Sequence, residues 1–155
     1  APMSERTSTQ PAQKGREAQA IGRSRGGLTT KIHIVVDALG NPIRLQITGG
    51  QTHDSVPATD LIEGLFAIHV VADKAYDTDY IINKIKQQGA IPVIPPKRNR
   101  RDQRSYDAHI YKGRHLVACF FCKIKEFRRV ATRYEKLATT FLAMATIASC
   151  LIWMR

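Results

Sequence analysis

Hydrophobic residues fall along this chain in two rhythms, and the changes of rhythm mark its elements. Lys31 to Val36 reads KIHIVV, a β-rich run, and Ile43 to Ile47 reads IRLQI, with apolar and polar side chains alternating. Alternation sends successive side chains to opposite faces of a strand. Ala38-Leu39-Gly40-Asn41 between the runs and Gly49-Gly50 after them supply turns, so a β-hairpin is expected. Ser55 to Phe66 (SVPATDLIEGLF) puts Leu61, Ile62 and Leu65 on one stripe, with Ser55 as cap and Pro57 in the first turn of a helix. Ala67 to Ala72 (AIHVVA) is a short apolar run of the kind that fills a buried strand, and it ends at Asp73. A second helix is expected over Thr78 to Gln88 with Gly89 as its stop. Ala90 to Ile94 (AIPVI) then gives a strand that Pro92 confines to a sheet edge.

Helical spacing returns from Ile110 to about Arg133, and Leu137 to Met154 forms a last helix. That last segment is 18 residues without a charge, the lower limit for a membrane span. Thr139, Thr140, Thr146, Ser149 and several alanines dilute it, and a basic amphipathic helix precedes it directly. A buried terminal helix, with Trp153 and its Leu and Ile neighbours in the core, is therefore expected over a membrane anchor. A hairpin, then helix–strand–helix–strand, then helices reads as an α/β layer on one sheet over residues 28–155. Residues 1–27 are polar, lack periodicity and end in GRSRGG, which reads as a flexible basic arm.

Composition narrows the class. The chain has 155 residues, enough for one domain with a core, and 43% apolar with 24% charged residues excludes wholesale disorder. Three cysteines are too few, and odd in number, for a disulfide framework, which points to a reducing compartment. The opening APMSERTSTQ has no apolar core of a signal peptide.

The net charge of +11 suggests a polyanionic partner, and its distribution says more. Residues 37–96 hold 4 basic and 7 acidic residues, whereas 97–136 hold 13 basic and 4 acidic. An acidic middle beside a basic stretch suits a metal-dependent site acting on nucleic acid; two ordinary solvated faces would give the same counts.

Asp73, at the carboxyl end of an apolar strand, is placed to hold a divalent cation or to cap the following turn. Asp77 and Asp79 follow it in the next helical turn. Asp37 reads as a turn residue, and His53-Asp54 as side chains at a helix start. Lys97, Arg98, Arg100, Arg101 and Arg104 form a basic loop. Lys123, Arg128, Arg129 and Arg133 extend it onto the next helix, giving a sequence-independent phosphate surface. Cys119-Phe120-Phe121-Cys122, with His115 a turn earlier, is a weak zinc pattern, and buried thiols beside the two phenylalanines are the stronger expectation.

The strings GRSRGGLTTKIHIVVDALGNPIRLQITGGQTHDS, VVADKAYD, IPVIPPKRNRR and YKGRHLVACFFCKIKEFRRVATRYEKLA, in this order, resemble the insertion-sequence-five family of bacterial transposases from about Gly22 to Arg155. The resemblance implies an RNase H-like mixed sheet flanked by helices, as in DDE transposases. It also implies Mg²⁺ or Mn²⁺ held by two aspartates and a glutamate, and DNA, the transposon ends, as partner. Asp73 matches the second acidic residue and metal ligand, although the position two residues on, usually glycine, is Ala75.

The family signature Y-x2-R-x3-E-x6-K is met by Tyr111, Arg114 and Lys125, but the glutamate position is Ala118. Offsets of 3, 7 and 14 keep these four on one helical face, and Glu126 lies about 100° away from that stripe. Arg114 and Lys125 would contact phosphate or support the acidic site. The first aspartate of the family belongs to a strand ahead of GRSRGG, where this chain has only Glu5 and Glu17.

The resemblance thus implies a truncated, catalytically defective copy lacking its first strand, cytoplasmic and nucleoid-associated, and inactive alone. It would be a transposase domain that binds DNA. The alternatives are a non-enzymatic DNA-binding module, an oligomer-forming or inhibitory partner of a full-length transposase, or, more remotely, a small basic RNA- or ribosome-associated protein.

Overall fold

The computed structural model of the protein describes Gly15 and residues 18–155. Most of the expected arm lies outside them, but its last residues are part of the sheet. Strand β1 (Gly22–Ser24) pairs antiparallel with β2 (Gly27–Val36), Gly22 opposite Thr29, and β2 pairs antiparallel with β3 (Pro42–Gly49). The β2–β3 turn is built by Asp37, as its sequence context suggests. Its Oδ1 accepts from the Leu39 N–H (2.8 Å) and the Asn41 N–H (2.9 Å), and its Oδ2 from Asn41 Nδ2 (3.1 Å). Gly40 supplies the positive φ of 85° that the turn needs.

Helix α1 (Ala58–Ile62) is much shorter than the expected Ser55–Phe66. Glu63 leaves the helical region and Gly64 adopts φ 66°, which ends the helix, while the Ser55 hydroxyl is drawn to His53 Nδ1 (2.6 Å) rather than capping. Arg44 Nη1 of β3 donates to the carbonyls of Leu61 (3.0 Å) and Glu63 (2.5 Å) and so pins the helix end to the sheet. Strand β4 (His69–Val71) follows, then a 3₁₀ turn (Lys74–Tyr76), helix α2 (Asp79–Gln87) and strand β5 (Ile91–Val93), parallel to β4. Thr78 caps α2 by accepting from the Ile81 N–H (3.3 Å), and Gly89 at φ 80° stops it.

One sheet was the expectation; the structure has two, β1-β2-β3 and β4-β5. β1 covers only Gly27 to Thr29 of β2, so Thr30 to Val36 has β3 on one side and, among the described residues, no strand on the other. Among the described residues β4 likewise pairs only with β5, which keeps Pro92 at an edge.

The expected helix from Ile110 to Arg133 is broken into α3 (Ala108–Tyr111), a 3₁₀ turn (Lys112–Arg114), α4 (His115–Ile124) and α5 (Arg128–Ala131). Gly113, a poor helix former, lies in the 3₁₀ turn. The second break has Phe127 in extended conformation, packed against the Phe120 and Ile124 cluster. Helix α6 (Ala138–Trp153) ends the fold.

Each sheet has its own core. Ile81, Ile82 and Ile85 of α2 pack with Ala58, Ile62, Ala90 and Ile94 around β4 and β5. Phe120 and Ile124 of α4 and Ala145, Ala148 and Ile152 of α6 pack on Ile32, Ile34 and Val36 of β2. Burying a side chain such as Ile85 or Phe120 contributes roughly 1.5–3 kcal/mol.

Two expectations fail at this core. Trp153 is 61% exposed, and Leu151 and Ile147 face outward too, because the buried stripe of α6 runs through its alanines and Ile152. All three cysteines are exposed; Phe120 turns into the core, and the i and i+3 positions of Cys119 and Cys122 fall on the outer side of α4. Among the described residues no helix is long and apolar enough to cross a membrane.

Candidate functional site: a strand-end carboxylate and a basic face

β4 delivers Asp73 to its carboxyl end, where the backbone is extended and the 3₁₀ turn begins. The side chain does not cap that turn. Its Oδ2 is instead 2.7 Å from Arg114 Nη2, which arrives from the 3₁₀ turn ahead of α4. Two residues that share one family pattern, 41 positions apart in sequence, thus meet as an ion pair. Both side chains are partly open to solvent, 35% for Asp73 and 52% for Arg114.

A cleft of about 340 Å³ is lined by Lys31, Ile32 and His33 of β2, Asp54, Tyr76 and Phe121. Lys31 Nζ sits 2.9 Å from Asp54 Oδ1, so this carboxylate too is held by a cation. Burial, and after it the charges of Asp54 and Asp73, pushes the Tyr76 phenol up. His33 Nε2 lies 2.7 Å from Thr48 Oγ1, and burial holds its imidazole below the usual histidine value. Asp54 is the residue that sequence reasoning misplaced. His53 does take part in the turn before α1, but Asp54 faces the cleft across from β2.

Ala118 is exposed on α4, as are Arg114 at its start and Lys125 at its end, while Tyr111 is half-buried and packs edge-on against Tyr106, centroids 5.5 Å apart. The 3₁₀ turn separates Tyr111 from the others, so the continuous helix expected to carry all four does not form. Arg114, Ala118 and Lys125 keep one open face, because four and then seven α-helical steps return to nearly the same direction. Lys123 is exposed on another side of α4, half a turn from Arg114 and Ala118, Arg128 is exposed at the start of α5, and Arg129 is 3.4 Å from Glu135 Oε1.

The basic loop is not a uniform cluster. Asp77, buried to 2% exposure, accepts the Lys97 N–H at Oδ2 (2.7 Å) and faces Arg100 Nη1 (3.3 Å) and Arg104 with Oδ1. Arg100 also pairs with Asp79. Arg98 and Arg101 are exposed, and Lys97 is half-buried. Arg133, half-buried, is taken up by the fold: it donates to the carbonyls of Gln19 (2.8 Å), Ala20 (3.2 Å), Glu135 (2.9 Å) and Lys136 (2.9 Å) and to Thr30 Oγ1 (2.5 Å), over the Phe141 ring.

A mixed α/β layer with a strand-end carboxylate beside a lysine- and arginine-rich face has the features of proteins that act on nucleic acid strands. Comparison with known families identifies which: the family described as Transposase DDE domain matches residues 4–153, and the chain belongs to it. It is 41% identical over 133 residues to a proposed transposase of insertion sequence element IS6501 from Brucella ovis, covering 83% of this chain and all of that protein. It is 28% identical over 142 residues to a proposed transposase of insertion sequence element IS402 from Burkholderia cepacia, covering 84% of this chain and 64% of that one. No solved structure matches. The mixed α/β architecture, with no closed barrel, is consistent with the RNase H-like fold of this domain.

The family generally uses a divalent metal, Mg²⁺ or Mn²⁺. Such hard cations need several oxygen ligands. Here Asp73 offers one carboxylate already held by Arg114, Ala118 offers a methyl group, and Asp54 is held by Lys31. Among the described residues no three His, Cys, Asp or Glu side chains gather to hold a metal. The donors among the described residues therefore do not fit the metal site of the family.

Proposed function

We propose that this chain is a transposase domain that binds insertion-element DNA through its basic face but does not cleave or join strands with its own carboxylates. The observation that carries this reading is the Asp73–Arg114 pair beside Ala118: a cation occupies the one family carboxylate, and no second one stands at the glutamate position. Arg98, Arg101, Lys97, Lys123, Lys125, Arg128 and Arg129 supply the phosphate contacts, which displace condensed counterions whatever the base sequence. Its place of action is bacterial DNA, hence the nucleoid. Duplex DNA carrying the ends of the element should bind with a steep salt dependence, and Mg²⁺ or Mn²⁺ should produce no nicking. Cleavage by the unmodified chain would overturn the reading, and the assay repeated with Ala118→Glu asks whether that one carboxylate limits the chemistry.

A second reading, a partner that assembles with an intact transposase, is supported by the edges of β2 and β4 that pair with no strand among the described residues. Rows of unpaired N–H and C=O groups accept an added strand from another chain. Co-expression with an intact member of the family, followed by light scattering of the purified product, tests it: a heteromeric mass supports this reading, and two separate species remove it.

A further inference from the structure

Asp77 takes no part in the cleft, yet among the described residues it gathers more positive charge than any other acid. Its side chain has no exposed surface, and Arg100 and Arg104 reach it with side chains only 20% and 24% exposed. Its Oδ2 also holds the Lys97 N–H, so the carboxylate fixes both the start and the far side of the basic loop. The loop closes on itself as well: the Arg100 N–H donates to the Lys97 carbonyl (3.0 Å), and Gln103 Nε2 donates to the carbonyls of Lys97 (3.0 Å) and Arg100 (2.8 Å).

Building on the DNA-binding reading, we propose that Asp77 is a positioning residue for phosphate contact: it draws Arg100 and Arg104 inward and thereby presents Arg98 and Arg101, with Lys97, as the outward cations of the loop. An arginine whose charge faces a buried carboxylate displaces no counterion from a phosphate, so five cations in sequence act as at most three. The same residue sets where they stand. Asp77 follows the 3₁₀ turn that begins at Asp73, and its own N–H donates to the Lys74 carbonyl (3.2 Å). The basic loop therefore hangs from the turn that carries the strand-end carboxylate, with no flexible segment between them. A preset loop loses less conformational freedom on binding than five independent side chains would.

The test is the salt dependence of binding to a fluorescent 30-base-pair duplex, read as the slope of log K against log salt, with the full chain throughout. Each lost phosphate contact lowers that slope by about 0.9. Arg98→Ala and Arg101→Ala should each lower it by this amount, while Arg100→Ala and Arg104→Ala leave it unchanged. Asp77→Asn should steepen the slope, by releasing two cations, and should speed trypsin cleavage after Arg98 and Arg101. A slope and a trypsin rate unchanged in Asp77→Asn, or an Arg104→Ala slope as flat as that of Arg101→Ala, overturns the proposal. If Asp77→Asn does not fold, the comparison of the four arginine variants decides alone. Absence of duplex binding by the unmodified chain would sink the DNA-binding reading and this role with it, whereas binding with the wrong slopes would sink only the role of Asp77.

Discussion

Asp73 and Asp77 stand four residues apart on either side of one 3₁₀ turn, in opposite surroundings. Asp73 is partly open and meets one arginine across a surface that is itself half exposed. Asp77 is sealed and meets two arginines and a backbone N–H. By sequence the first is the candidate for chemistry and the second one of a pair of neighbours. In the structure the second carries the denser ionic network, which belongs to architecture, while the first is neutralised at the surface. Charge in this protein divides into groups turned inward to hold the fold and groups left outward to meet a partner, and residue type does not reveal which is which.

The largest expected effect breaks that contrast directly. Asp77→Ala leaves Arg100 and Arg104 facing a buried gap, and removing one partner of a buried ion pair costs about 3–5 kcal/mol. Urea unfolding followed by circular dichroism should show it, beside a change of under about 1 kcal/mol for Asp73→Ala. Equal losses would mean that Asp77 is as solvated as its neighbour.

Arg133 comes next. It counts toward the basic face by sequence, yet it ties the Gln19–Ala20 segment, Thr30 of β2 and the chain before α6 together through five hydrogen bonds. Arg133→Met keeps much of the volume and should lose about 2–3 kcal/mol, since hydrogen bonds from a charged group carry roughly 1.5–3 kcal/mol and several of these would fail together. Its DNA affinity, compared at a temperature where both proteins are folded, should not change. Arg114→Ala, by contrast, should alter stability by only about 0–1 kcal/mol, because its pair with Asp73 is partly exposed on both sides.

How much of this was legible in sequence follows the same division. Alternation and turn chemistry gave the hairpin, with Asp37 in its turn, because those signals are local. Thr78 and Gly89 were right for α2 on the same grounds. The long helix after Ile110 was not legible: its breaks depend on a 3₁₀ turn at Gly113 and on Phe127 packing against residues of α4, and spacing alone records neither. The division into two sheets was equally hidden, since unpaired edges are a matter of which strands meet. At the site, the family pattern singled out Asp73 and Arg114, and the structure brings them together. It gave no sign that Asp54 lines a cleft with Lys31 and His33 of β2, because Lys31, its partner, lies 23 residues earlier. Nor could a count of arginines show that Arg100, Arg104 and Arg133 point inward.

The smallest effect concerns a buried histidine. His33 is 5% exposed and faces Thr48 Oγ1, with Lys31 beside it and Asp54 across the cleft. Burial is the main reason that its imidazole is held below 6.5; the charge of Asp54 works in the opposite direction and Lys31 in the same one. In the unfolded chain the ring takes up a proton as pH falls through that value, while in the folded chain it resists. The unfolded state then binds more protons, so stability declines as pH falls from about 6.5 toward the depressed folded value and levels off below it. His33→Gln removes the titrating ring while keeping a polar side chain toward Thr48, and should flatten this part of the stability–pH curve measured by urea unfolding. Asp54→Asn sharpens the test, because without the opposing negative charge the folded ring should resist protonation further and the decline should extend to lower pH. A curve unaltered by either change would place the proton uptake elsewhere and show that His33 is more open to water than its packing implies.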